Sequence, residues 1–249
     1  MKRRTQLSGF LLAGITLYAV LWEVAGQAQL FGSAWPPLST VLRTMLSERY
    51  EKLLLHAIGY TLGEAAIGYL IGMAMAIMLV AATLFIPILW KSVNQLAVFA
   101  NALPPIVLGP LLLATVPRSE APVVLSALVV TLTLFISLST GLATTQAAHR
   151  DYFTVAGASR LTRMLRLEVP SAIPTFVDGL KMAAPAALLG AILAEWFGAE
   201  RGIGPIFVAA MQNYQTELLW AAALTCALAS VLIYALLSLL QHFIEERFQ

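Results

Sequence analysis

The 249-residue sequence predicts an all-α membrane protein with six transmembrane helices, an N-terminal helix followed by a five-helix core. Composition is the first observation behind this. Hydrophobic residues make up 59% and charged residues 11% of the chain, against about 25% charged in ordinary globular proteins. Its mean hydropathy is +0.82. A soluble chain of this length has too little interior to hide so much apolar surface, so lipid must solvate part of it. The second observation is the length of the apolar runs, each long enough to cross a bilayer as a helix that satisfies its own backbone. No alternating ten-residue pattern suggests a barrel. The third is the distribution of basic residues, which sets direction.

The expected spans fall at about 7–26, 56–86, 92–116, 121–145, 174–198 and 217–243. A basic start and an apolar run also describe a signal peptide. The run from Leu7 to Gly26 is nevertheless about 20 residues, the length of a span and longer than a signal core. Retention as a first transmembrane helix is therefore expected. With an even number of spans both termini share a side, and Lys2, Arg3 and Arg4 mark it as cytoplasmic. Lys91, Arg150, Arg160, Arg163, Arg166 and Arg247 fall on the same side. Arg43, Arg49, Lys52, Arg118 and Arg201 fall opposite. Trp22, Trp90, Trp196 and Trp220 lie near segment ends, where an amphipathic ring prefers the membrane interface.

Residues 1–55 are read as the N-terminal span plus an outer amphipathic helix. Residues 56–249 are read as the core, with a polar loop at 146–170. In the outer connection Pro36-Pro37 gives a turn, and Leu38, Val41, Leu42, Met45 and Leu46 then recur at helical spacing. In the second span Glu64 is followed by Gly68, Gly72 and Ala76, small residues spaced for close helix packing. Asp178 and Lys181 are one turn apart and form an expected local pair. The single cysteine, Cys226, excludes an intrachain disulfide.

The loop Asp151–Pro170, DYFTVAGASRLTRMLRLEVP, is the most informative segment. Arginines on a surface helix need mean no more than the positive-inside rule. That rule does not explain an acid followed after six residues by Gly157, with Leu167 and Pro170 ten and thirteen beyond the glycine. Gly157 is expected to make a turn between two short helices and to allow close backbone approach. Pro170 and Pro174 are expected to end the surface helix and start the next span.

The spacing resembles the cytoplasmic EAA loop of ABC-importer permeases. Further segments extend the resemblance: TLGEAAIGYLIG at 61–72, PPLSTVL at 36–42, ALPPIVLGPLLL at 102–113 and AEWFGAERGIG at 194–204. All are similar to motifs of permeases of the nitrate, sulfonate and taurine importer group. The implied fold is that of a type I ABC importer permease in a bacterial inner membrane. It implies work as a dimer, with an identical or homologous second permease chain, two ATPase subunits inside and a substrate-binding protein outside. ATP and Mg would sit on the partner ATPase, and this chain binds no cofactor or nucleic acid. Asp151, Ala156, Gly157, Ala158, Arg160, Leu167 and Pro170 match the ATPase-coupling motif. Asp151 is expected to hold a polar contact with the ATPase, and Arg160 to face acidic or carbonyl groups of it. The solutes implied are small anions such as sulfonates or nitrate, though relatives also carry vitamin precursors.

The chain departs from the pattern in places. The EAA triplet reads Asp151-Tyr152-Phe153, Glu64 stands where arginine is common, and Thr133 and Ser137 replace a usual proline and asparagine. For the translocation pathway the expected residues are Glu64, Asn101, Pro104, Pro105 and Glu195, with Glu195 near an outer gate. A carboxylate in a span faces a cavity or partner, and a proline-broken helix persists where it borders polar space. Blander readings stand beside these: Glu195 at the interface beside Trp196, Glu64 in a packing stripe, and Asn94, Gln95 and Asn101 bonded to neighbouring helices. No HExxH, GxSxG or GxxxxGK[ST] is present, and His56, His149 and His242 are too dispersed for a metal site. An intramembrane enzyme is thus disfavoured, and neither a passive channel nor a structural anchor explains the loop.

Overall fold

The computed structural model describes residues 2–86 and 88–248, with side chains described at 10–86, 88–239 and 241. The side chains of Lys2, Arg3, Arg4 and Arg247, used above for orientation, and of His242 lie outside the described residues. Regular structure is helical throughout the described chain. The helices are α1 (Lys2–Gln27), α2 (Leu38–Met45), α3 (Glu48–Phe85), α4 (Leu89–Ala102), α5 (Pro105–Thr115), α6 (Ala121–Ala143), α7 (Ala147–Val155), α8 (Arg160–Arg163), α9 (Val169–Trp196), α10 (Gly204–Gln212) and α11 (Thr216–Phe248). Five helical stretches are long and apolar enough to cross a membrane, and the bent pair α4–α5 makes a sixth crossing if it counts as one.

The core is three long helices, with α6 lying between α3 and α9. Small residues make this possible. On α3, a side chain at Gly68 would meet Ser126 and one at Gly72 would meet the Ala127 carbonyl and Val130, all on α6. On α9, Gly190 lies against the Ser126 backbone and Gly179 against Ser137. The Gly68, Gly72, Ala76 stripe is therefore a packing seam, all three residues being buried. Close approach also lets the Ser126 hydroxyl reach the Ala65 carbonyl at 3.4 Å, and Thr131 that of Gly72 at 3.3 Å.

Three boundaries differ from expectation. The second span begins at Glu48, so position 55 falls inside α3 and marks no break. Glu48 and Glu51 in its first turn favour helix there, since acids complement the positive end of the helix dipole. The third span is two helices meeting at a 99° bend, because Pro104 is extended and Pro105 starts a new helix. The fifth does not start at Pro174. A single helical run extends from Arg160 to Trp196, with Pro170, Pro174 and Pro185 inside it. A π-turn at Met164–Glu168, in which the Val169 N–H donates to the Met164 carbonyl, widens the helix just before Pro170. This wider turn accommodates the ring that would otherwise break the run.

α1 stands at the edge, its Phe10, Leu11, Leu12 and Ile15 facing outward as a lipid-solvated surface would. An aromatic cluster ties it to the core. Trp22 lies 5.0 Å and Trp35 4.6 Å, between ring centroids, from Trp220 of α11. The Trp22 Nε1 donates to the Pro36 carbonyl at 3.1 Å and the Trp220 Nε1 to that of Ala34 at 2.9 Å. Glu23 accepts from both the backbone N–H of Ser39, at 2.8 Å, and its hydroxyl, at 2.7 Å, securing the first turn of α2. Val41 of α2 is wholly buried, so this helix packs on α11 and does more than lie on a surface. Asp178 and Lys181 pair at 2.8 Å as expected.

Candidate functional site

Local chemistry builds the 147–168 segment as a helix, a tight turn and a second helix. After α7 the Gly157 N–H donates to the Thr154 carbonyl at 3.1 Å and the Ala158 N–H to that of Phe153 at 2.9 Å. This is a Schellman end, and Gly157 supplies its left-handed residue at φ +70°. Ser159 then caps α8, its hydroxyl accepting from the Thr162 N–H at 3.2 Å. α8 runs without a break into α9, so whatever displaces the turn displaces the long helix with it.

The arginines are largely engaged within the chain. Arg160 donates to the Leu84 carbonyl at 2.7 Å, and Arg150 to the Leu142 carbonyl at 3.0 Å. Each thereby places a cation on the last turn of a spanning helix, α3 and α6 respectively, where the dipole favours positive charge. The carbonyl that Arg160 meets through this nitrogen belongs to its own chain, and the residue is otherwise exposed. Glu168, unremarked in the sequence, sits between Arg163 at 3.3 Å and Arg150 at 3.7 Å. Neither guanidinium Nε makes a hydrogen bond, so the pairing is electrostatic. It joins α7 to the base of α9. The available signal was a second acid, besides Asp151, among four arginines.

What remains outward is mostly apolar. Val155 is 90% and Tyr152 71% exposed, and Leu161 and Leu165 one helical turn apart are also exposed. Asp151, Ala156, Gly157 and Pro170 are exposed, whereas Ala158 and Leu167 are half-buried. A Cβ at Gly157 would meet nothing within 4 Å, so this chain leaves the space above it open. A rigid base with an apolar, sterically open tip suits a protein partner. Replacing Glu168 with Gln should remove its pairing with Arg150 and Arg163 and loosen α7 at a cost of up to about 1 kcal/mol. Faster proteolysis within 147–158, with unchanged insertion, is the expected result.

The expected pathway residues separate into two places. Asn101 and Pro104 are exposed and Pro105 half-buried at the α4–α5 corner. Beyond it, α5 turns back to α9, where Gly109 lies against the Phe197 ring. Glu64 and Glu195 instead meet each other between α3 and α9. Glu195 is only 1% exposed, which removes the reading that leaves it at an open interface. Its Oε2 accepts from the Gly204 N–H at 2.7 Å. The glycines of AEWFGAERGIG follow from this, because a Cβ at Gly202 would strike the Glu195 carboxylate and one at Gly204 its backbone. Thr61 was not foreseen. Its hydroxyl accepts from the neighbouring Ile203 N–H at 2.9 Å.

Comparison with known proteins agrees with this architecture. A permease of Halalkalibacterium halodurans named for formylaminopyrimidine transport is 29% identical over 232 residues, covering 90% of each chain. A probable ABC transporter permease protein of Haemophilus influenzae is 26% identical over 237 residues, covering 95% of this chain and 96% of its own. A riboflavin transport system permease of Chloroflexus aurantiacus is 23% identical over 146 residues, covering 58% of this chain and 54% of its own. A solved amino acid ABC transporter with histidines shares the fold at a TM-score of 0.65 and 17% identity, over 78% of this chain and 95% of that one. The family model for the binding-protein-dependent transport system inner membrane component matches residues 89–249. That match spans the bent pair, the helix–turn–helix and the 194–204 glycine motif; the chain belongs to this family and is a multi-pass membrane permease component of ABC importers, a transport subunit without catalysis of its own.

Proposed function

We propose that this chain forms the translocation pathway of an ATP-driven importer and that a separate ATPase docks on the tip of the 147–168 helix pair. The observation that carries this is mechanical: an exposed apolar tip at Tyr152 and Val155 on a turn that is continuous, through α8, with the 28-residue α9. Asp151, Ala156, Gly157 and Ala158 present the tip. Arg160, Leu167 and Pro170 anchor it to the spans. ATP-driven closure of two ATPase subunits would push the tip, tilt α9 and switch the access of the central cavity. Moving a two-state equilibrium from 1:99 to 99:1 takes about 5.5 kcal/mol of differential affinity. ATP with Mg on the partner is the source of that difference.

In this reading the assembly contains a second permease chain, identical or homologous, and a substrate-binding protein at the opposite end. Both termini and the 147–168 pair lie on the cytoplasmic side of a bacterial inner membrane. Asn101, Pro104 and Pro105 at the bent pair border the pathway, with Glu64 and Glu195 controlling the α9–α10 connection beside it. Labelling tests the orientation. With Cys226 replaced, a cysteine at Glu48 should react with an impermeant maleimide from outside, and one at Ala156 only after permeabilisation. The reverse pattern overturns the orientation and removes the ATPase from the tip.

The solute is a nitrogen heteroaromatic of the vitamin-precursor kind. Support comes from relatives named for formylaminopyrimidine and riboflavin transport, and from an acid at Glu64 where the motif commonly carries arginine. The motif similarity to the nitrate, sulfonate and taurine group favours a small anion as the second reading. Uptake of labelled formylaminopyrimidine and of taurine by cells carrying the whole transporter separates the two. Taurine uptake alone would sink the heteroaromatic reading.

A further inference from the structure

An apolar groove opens between α3, α6 and α9, at the end of the bundle that carries the 147–168 helix pair. It holds about 290 Å³, and every residue lining it is apolar, Ile77, Leu84, Leu138, Leu142, Ile173 and Phe176 among them. It runs from Ile77 to Leu84 on α3 and from Phe176 to Val169 on α9, two helical turns or about 10 Å. Ile77 and Ile173 are exposed, so its side is open to whatever solvates the spans. In a membrane that is acyl chain. The mouth differs in character. Arg160 donates to the Leu84 carbonyl at 2.7 Å and Arg150 to that of Leu142 at 3.0 Å, and both acceptors belong to residues that line the groove. Two guanidinium groups therefore stand where the groove ends. Capping a carbonyl uses only one of a guanidinium's N–H groups. Arg150 shares Glu168 with Arg163, whereas among the described residues no carboxylate pairs with the exposed Arg160. Its remaining donors form a planar fork suited to a phosphate. The larger apolar groove, about 460 Å³ between α2, α3 and α11, makes the contrast. Among the described residues its one charged lining residue is Glu51, which would repel an anionic headgroup.

We propose that the α3–α6–α9 groove binds an anionic glycerophospholipid, with an acyl chain along Ile77–Leu84 and the phosphate on Arg160. An apolar trough that ends at an unpaired guanidinium is complementary to both parts of such a molecule. The bound chain packs on Val169 and Ile173 and steadies the base of α9, where the helix pair joins it. The inference goes beyond the transport reading. It concerns the flank of the spans and stands whether or not an ATPase docks on the tip.

Photo-crosslinking of the full-length chain in lipid discs tests it. The probes are phosphatidylglycerol and phosphatidylcholine with identical acyl chains bearing a diazirine, each in trace amount among unlabelled phosphatidylcholine. Phosphatidylglycerol should label residues 77–84 and 169–176 roughly fivefold more than phosphatidylcholine does, the preference expected of one basic group at an anionic headgroup. Arg160→Gln should remove that preference. Ile173→Trp, which fills the open side, should remove the label of both lipids from this groove. Residues 228–236 of α11, on the groove that carries Glu51, should show no preference, and soluble glycerol phosphate should not compete. Equal labelling by the two lipids, or a preference that survives Arg160→Gln or appears equally at 228–236, overturns the proposal. So does competition by glycerol phosphate, which marks a site for free phosphate. Absence of lipid label from the groove, as a second permease chain seated there would give, overturns it as well.

Discussion

Gly157→Leu should abolish coupling while leaving the protein inserted and folded. Two effects combine at this position. The backbone sits at φ +70°, where a side chain costs about 1–2 kcal/mol. That strain loosens the Schellman end and no more, because a Cβ there meets no atom of this chain. The leucine body projects instead into the open space at the tip, where Tyr152 and Val155 are also exposed. If an ATPase docks there, its close approach is blocked. Substrate-stimulated ATP hydrolysis by the reconstituted complex should then fall by on the order of a hundredfold, equivalent to about 2.7 kcal/mol. Gly157→Asn separates strain from bulk, since asparagine tolerates the left-handed region and is smaller. It should retain most of the coupling. Full coupling in the leucine variant would reduce the helix pair to a charged surface turn.

Gly72→Val acts by the opposite route and should prevent assembly of the fold. Here the added atoms meet backbone: a Cβ at Gly72 would lie 2.5 Å from the Ala127 carbonyl and 2.7 Å from the Val130 Cβ. Neither α3 nor α6 can yield locally, because α6 is held from its other side by α9 through Gly190 and Gly179. Overpacking of this kind costs about 1–3 kcal/mol and sometimes more. With no hydrophobic effect between helices in lipid, close packing carries more of the association, so the loss has little to offset it. The expected result is a large drop in detergent-extracted, monodisperse protein and a lower unfolding temperature. A variant of parental stability would show that the α3–α6 seam can open without harm.

The two substitutions mark where sequence was sufficient. Gly157 and Ser159 define a turn by chemistry confined to a few residues, and their offsets from Asp151 and Pro170 were legible at once. The small-residue stripe on α3 was equally plain, since four-residue spacing fixes which side chains share a helix face. Proline was a weaker guide. It did break the chain at Leu103–Pro105, but at Pro170 and Pro174 the helix continued, because a π-turn upstream made room for the ring. Residue type gives the steric demand, and the neighbouring turn decides how it is met.

By itself, the sequence determined the membrane class, the apolar stretches, the turn at the loop and the packing stripe, all set by composition or by spacing within a few turns. Only the tertiary structure decided the partners of the charges. Arg160 meets a carbonyl 76 positions away and Thr61 an amide 142 positions away. Glu64, expected on the pathway or else in a packing stripe, belongs to a contact with Glu195 that no local pattern announces. A charge in a low-dielectric interior takes its meaning from what lies within a few ångströms, and the neighbours at that range are supplied by helix packing, not by sequence order.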